Sequence, residues 1–241
     1  MPLHETEGRV ELLKDTSAAH WVEQRLWKWG KQGVPVGSVV PEGFEAYARI
    51  LHPAHKSPVD GGKGEPVRWS TVAAWTGRVV HPQMQFRRIA NLADHEFPTW
   101  GSPPVEGVLP LEECERVAAL LSSFTSTPAR CWFAIWDGYG FLDPKRYAGI
   151  PRVRAENRDY LLYRGPIDAV TDLAWGPSLQ SPNLWWPDDQ AWCVATDIDL
   201  ADTYVGGSEK CISRIVGAAE IEAFRTTLDA RVDFGGDTIN R

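Results

Sequence analysis

The sequence predicts an α+β fold in which a mainly antiparallel central sheet is flanked by helices, and three observations carry that expectation. Four runs have strand character: residues 44–51 (FEAYARIL), 130–137 (RCWFAIWD), 160–164 and 192–200. Helix-periodic runs stand among them without regular strand–helix alternation, which argues against a doubly wound parallel sheet. The 241 residues, 43% of them hydrophobic, suffice for a single globular domain over 1–241 that buries roughly 70–75% of its unfolded surface with no disulfide or metal staple.

Taken in order, residues 1–14 read as a loosely attached arm. Residues 17–29 read as an amphipathic helix, because Ala18, Val22, Leu26 and Trp29 fall on one stripe and Gly30 and Gly33 can end it. Trp21 and Trp27 lie on the same helix and are expected to pack rather than to form a ligand platform. A Pro/Gly loop then leads to the strand at 44–51. After it comes HPAHKSPVDGGKGEPVRW, an exposed loop holding His52 and His55, with His81 and His95 further on. Their spacing matches no zinc pattern and no cysteine stands nearby, so no metal site is expected.

Two short helices follow, at 69–75 and 82–91, and then FPTWGSPPVEGVLP, whose Pro and Gly density marks a candidate lobe boundary near 97–110. The clearest helix is 110–124: Leu111, Cys114, Val117, Ala118 and Leu121 recur at helical spacing, Pro110 starts it, and Glu112 and Glu113 occupy the first turn. Residues 130–137 are nearly continuous in apolar side chains, as a central strand covered on both faces would be. That strand breaks at Gly138-Tyr139-Gly140, leaving Asp137 at a strand end. The run KRYAGIPRVRAENRD (145–159) reads as a solvated basic face, the alternative being an arginine cluster for a carboxylate or phosphate. A strand at 160–164, a short helix at 167–173, and a short helix with an irregular tail over 220–240 complete the order.

The candidate site lies in PNLWWPDDQAWCVATDIDLADTYVGGSEKC, residues 182–211. Alternation along 192–200 puts Trp192, Val194, Thr196, Ile198 and Leu200 on one face and Cys193, Ala195, Asp197 and Asp199 on the other, so two carboxylates share the strand's exit. Tyr204-Val205-Gly206-Gly207-Ser208 reads as a turn into a helix at 209–216, with Ser208 as N-cap. Pro182 and Pro187 bracket Trp185 and Trp186 in a loop. Together these place Asp197, Asp199, Tyr204 and Ser208 on the rim of one concavity, with Trp185 or Trp186 as a wall. Asp137 occupies the same type of strand-end position. Such a rim can hold an oxygen-loving cation, divide acid and base roles, or recognise a basic group. The plainer alternative is that the acids meet water, Asp202 closes an Asx-turn and Ser208 only caps its helix, and it outweighs the others because no metal or phosphate motif is present.

A formal net charge of −7 disfavours nucleic acid and anionic membrane as partners. Cys114, Cys131, Cys193 and Cys211 form no CxxC pair and read as reduced core residues. No signal-like start or membrane-length apolar run is present, so the expected compartment is the cytoplasm. GxSxG, P-loop, HExxH and Rossmann motifs are likewise missing, and no cofactor or metal is expected.

The run WWPDDQAWCVATDIDLADTYVGGS, together with GFEAYARILHPA and CWFAIWDGYG, resembles a family of uncharacterised proteins of actinomycete-type bacteria. That resemblance extends over most of the chain and implies a natural cytoplasmic domain, with no established activity to transfer. Three functional classes remain. The first and favoured one is a binding or interaction module, of immunity or regulatory type, that uses an acidic, tryptophan-rich surface toward a protein partner or polar small molecule. The second is a metal-assisted or acid–base hydrolase built on Asp137, Asp197 and Asp199. The third is a small-molecule pocket walled by Trp185, Trp186, Trp192 and Tyr204.

Overall fold

The computed structural model describes residues 9–30, 33–57, 64–91, 101–175 and 178–240. The four expected strand runs all enter one antiparallel sheet of nine strands: β1 Glu11–Leu12, β2 Ala46–Leu51, β3 Cys131–Trp136, β4 Val153–Ala155, β5 Arg158–Gly165, β6 Leu184–Pro187, β7 Trp192–Ala195, β8 Asp202–Gly207 and β9 Ala223–Thr226. Their spatial order is β1-β5-β3-β6-β7-β8-β2-β9, and β4 shares the outer edge of β5 with β1. The helices are α1 His20–Arg25, α2 Trp69–Thr76, α3 Phe86–Ile89, α4 Leu111–Leu121 and α5 Glu209–Val216. A smaller sheet pairs Ala54–Lys56 with Pro66–Val67 and Gly101–Ser102.

Every residue of β2, β6, β7 and β8 is buried, so the middle of the sheet is covered on both sides. On one side α4 and α5 supply Cys114, Val117, Leu121, Ile212 and Ile215 against Phe133, Ile135, Trp185 and Val194. On the other, Trp21, Val22, Val36 and Val40 pack against Tyr47, Trp186, Cys193 and Tyr204. A third cluster joins α2 and α3 to the end of β2 through Leu51, Trp69, Val72, Met84 and Ile89.

This double cover corrects the expectation for Trp185 and Trp186. They lie in β6 rather than in a loop, and successive residues of a strand point to opposite faces. Trp185 meets Trp192 edge-on at 5.2 Å, while Trp186 meets Trp21 at 5.9 Å on the other side. Both are core residues, so neither walls a surface concavity.

Other boundaries moved for identifiable reasons. β7 ends at Ala195, and Asp197 to Leu200 form a turn closed by the Leu200 N–H on the Asp197 carbonyl (3.1 Å). Gly206 and Gly207 belong to β8 instead of a turn, because Phe44 lies directly on the backbone where a Gly206 side chain would stand. α1 stops at Arg25 because Leu26 turns extended and the Trp27 N–H bonds the Gly37 carbonyl at 2.8 Å. The latter part of the expected arm is fixed, since Glu11 and Leu12 pair with β5. Residues 82–91 keep only α3 as helix, and 220–240 hold β9 and a 3₁₀ turn at Phe234–Gly236 where a helix was expected. His95 and the start of the candidate lobe boundary, 97–100, lie outside the described residues.

α4 and α5 follow the sequence closely. Ser208 caps α5, its Oγ accepting from the Cys211 N–H at 3.2 Å. All four cysteines are buried and unpaired, and burial pushes the thiols up, to about 12 for Cys114, Cys131 and Cys211. Among the described residues no helix is long and apolar enough to cross a membrane.

Candidate functional site: an aromatic cleft over a buried ion pair

A cleft of about 670 Å³ opens where the β7–β8 turn leaves the sheet. Its walls come from chain segments far apart in sequence: Trp29 after α1, Phe86 at the start of α3, Pro103 to Glu106, and Val232 to Phe234 near the C-terminus. Trp69 and Asp202 line it as well, both buried.

Each wall is held by polar contacts. Buried Arg49 donates from Nη1 to the carbonyls of Pro82 and Met84, both at 2.9 Å, and so ties the approach to α3 against the sheet. From Nε and Nη2 it donates to a single oxygen, Asp202 Oδ2, at 2.7 and 2.5 Å. Arg49 stands directly opposite Tyr204 in the β2–β8 register, two residues along from Asp202 on the same face. Burial opposes the Arg49 charge, but the neighbouring Asp202 carboxylate leads the effects that leave its pKa raised. Burial, followed by the Asp202 charge, pushes the Tyr204 hydroxyl well above its ordinary value.

His52, fully buried, holds the wall at 103–106. Its Nδ1 lies 2.9 Å from the Val105 carbonyl, which can only accept, so Nδ1 carries the proton and Nε2 accepts from the Thr203 hydroxyl at 2.8 Å. Thr203 in turn accepts from Thr196 at 2.7 Å. Burial lowers the His52 pKa, so the ring is held neutral. Gly107 continues this wall with φ of 77°; its N–H bonds the Leu200 carbonyl at 2.9 Å, and a Cβ there would stand 2.8 Å from the Ile198 carbonyl oxygen. The C-terminal wall is pinned by Asp237, which accepts from the Gln85 N–H at 3.1 Å and lies 3.0 Å from His81 Nε2.

The expected site residues separate. Asp197 and Asp199 line the cleft. Both bind Arg158, which donates to the two oxygens of Asp197 at 3.2 Å and to Asp199 Oδ2 at 2.8 Å, with its guanidinium 5.6 Å from the Trp29 ring centre. Tyr204 is core. Ser208 sits at the opposite end of β8, about 20 Å of strand away from Asp202. Asp137 belongs to a separate hollow of about 310 Å³, where it pairs with Arg152 at 2.9 Å.

The basic run at 145–159 thus binds carboxylates of its own chain, through Arg152 and Arg158. Sequence reasoning treated the two features separately. It also passed over Arg49, although a lone arginine within the apolar AYARIL strand signals a buried partner, because a charge cannot be buried there unpaired. Among the described residues, no three His, Cys, Asp or Glu side chains are grouped to hold a metal ion. No family model, curated protein or solved structure matches the chain.

Proposed function

We propose that the protein is a non-catalytic binding module whose cleft receives a small organic molecule with a flat, apolar body. The observation that carries this reading is the convergence of Trp29, Trp69, Phe86 and Phe234, from four separate segments, on one cleft of about 670 Å³. That volume falls in the range of small-molecule sites, roughly 300–1,000 Å³. Trp29 and Phe234 are exposed there, each with a guanidinium over one ring face, Arg158 on Trp29 and Arg88 on Phe234, so that the other face is the one open to a partner.

Two observations weigh against the other classes. Among the tryptophans whose side chains are described, only Trp29 and Trp75 are exposed, which leaves little of a tryptophan-rich protein-binding surface. For the hydrolase, both oxygens of Asp197 and one of Asp199 are engaged by a single guanidinium, and Asp137 lies in another hollow. A general acid or base needs a carboxylate within reach of the substrate's proton, and these are turned to Arg158 and Arg152.

The test is a titration with neutral probes, 2-naphthylmethanol, tryptophol and 3-phenyl-1-propanol, followed by the indole N–H signal of Trp29. At least one should shift that signal saturably, and calorimetry with the same probe should show binding weakened roughly three- to tenfold by Trp29→Ala and by Phe234→Ala. Absence of any shift, or binding indifferent to both substitutions, would overturn the reading.

A further inference from the structure

We infer that one water molecule is a fixed ligand of this protein, bound by the Tyr160 hydroxyl in a small chamber behind the Trp29 wall of the cleft. The chamber shares Trp29, Val39 and Asp197 with the cleft, and about 10 Å³ of it is open to the centre of a water molecule. That admits a single water and no organic group, since one water needs roughly 10–15 Å³ by that measure.

Tyr160, on β5, is 6% exposed, and its ring packs in the core that holds Trp21 and Trp186. After burial, the charges that act most on its hydroxyl are those of Asp197 and Arg158, and both residues line the chamber. The hydroxyl end of the side chain therefore meets the chamber. Burial, followed by the Asp197 charge, pushes its pKa far up, so the proton stays on the oxygen. Yet among the described residues this hydroxyl has no hydrogen-bond partner. Buried polar groups nearly always have one, in the protein or in ordered water.

The other polar groups of the lining have acceptor capacity to offer. Asn183 spends its two amide protons on the Tyr139 hydroxyl (3.0 Å) and the Thr196 carbonyl (3.1 Å), while its Oδ1 takes one bond, from the Trp136 N–H at 2.9 Å. Ser38 Oγ gives its proton to the Pro35 carbonyl at 2.7 Å. The Asp197 oxygens accept from Arg158 and from the Asp199 N–H. Lone pairs remain on Asn183 Oδ1, Ser38 Oγ and Asp197, and the proton of Tyr160 is left over. A water that accepts from Tyr160 and donates to two of these acceptors makes about three hydrogen bonds, the usual number for a buried water. Charge selects water over an ion. Asp197 is paired with Arg158 in the same lining, so the guanidinium opposes a metal ion and the carboxylate opposes an anion.

The experiment counts long-lived waters on the full chain by ¹⁷O relaxation dispersion, which follows the water oxygen and is blind to exchanging hydroxyl protons. Tyr160→Phe keeps the ring in the core and should lower the count by one, with a urea titration confirming that the variant is folded. Tyr47→Phe is the control, because the Tyr47 hydroxyl already meets the Pro41 carbonyl and the Phe44 N–H, and it should leave the count unchanged. As a measurement that needs no variant, a high-resolution crystal structure of the parent should show one water about 2.7–2.8 Å from Tyr160 Oη.

An unchanged count in folded Tyr160→Phe, an equal drop in Tyr47→Phe, or a parent crystal in which Tyr160 Oη meets a protein group or no atom at all would each overturn the site. Should Tyr160→Phe fail to fold, the parent crystal decides alone.

Discussion

Arg158 and Arg49 each hold aspartate at the same cleft, one at its rim and one at its base, and the two pairs differ in almost everything but chemistry. At the rim, Arg158, 12% exposed, is shared by Asp197, 16% exposed, and Asp199, 73% exposed, so that one acid stays in place when the other is lost. At the base, Arg49 and Asp202 are each 3% exposed, and nothing replaces either partner. Exposed ion pairs contribute about 0–1 kcal/mol, whereas removing one partner of a buried pair costs about 3–5 kcal/mol. The conspicuous acids of the sequence, Asp197 and Asp199, are therefore the dispensable ones for stability. Asp202, single and unremarked beside them, carries the larger consequence.

The sharpest way to break this contrast is Arg49→Met alone. It leaves the Asp202 charge buried without a counterion and should lower stability by about 3–5 kcal/mol in a urea titration, while the double change with Asp202→Leu recovers most of the loss. Recovery that fails would mean that the carbonyl ties to Pro82 and Met84, rather than the charge, dominate at Arg49.

The second prediction uses pH. His52 faces Thr203 and the Val105 carbonyl, with the Arg49–Asp202 pair nearby, and its folded pKa is lowered by burial. The unfolded chain takes up this proton at about pH 6.5 and the folded one resists it, so the unfolded state binds more protons below that value. Its contribution is complete above about pH 6.5 and is lost as the pH falls, by up to about 1.4 kcal/mol per pH unit. His52→Asn should flatten that limb in melting curves taken across pH 5–8; an unchanged slope would show that other groups govern it.

Smaller effects separate the two ends of β8. Ser208→Ala removes the cap of α5 and should cost about 1 kcal/mol with no change in probe binding, because the cap lies at the end of the strand away from the cleft. Asp197→Asn with Asp199→Asn should cost less than Arg49→Met, about 1–2 kcal/mol, since the amide oxygens still accept from Arg158, which keeps its contacts with the Trp29 and Trp136 rings. A loss of several kcal/mol from that double change would erase the distinction between rim and base.

The residues that misled are as instructive as those that did not. Trp185 and Trp186 between two prolines resemble a loop because a four-residue strand buried on both faces shows no alternation. The acids at 197 and 199 seemed to continue the strand because their apolar neighbours kept the period of two, yet the chain turned at Ala195 to let β8 pair back.

What the sequence by itself determined is whatever local physics decides. Alternation marked the strand at 44–51 and a nearly continuous apolar run the one at 130–137, and helical spacing with a first-turn acid pair marked α4. An N-cap serine marked α5. Only the tertiary structure decided which charges meet. Arg49 and Asp202 are 153 positions apart and Arg158 and Asp197 are 39 apart, and no local propensity encodes such pairings. They arise because the antiparallel register of β2 on β8 brings Arg49 opposite Tyr204 and within reach of Asp202, where burial makes an unpaired charge untenable. The cleft has the same origin: its aromatic walls become neighbours only after the sheet has assembled and the α3 and C-terminal segments have been tied to it.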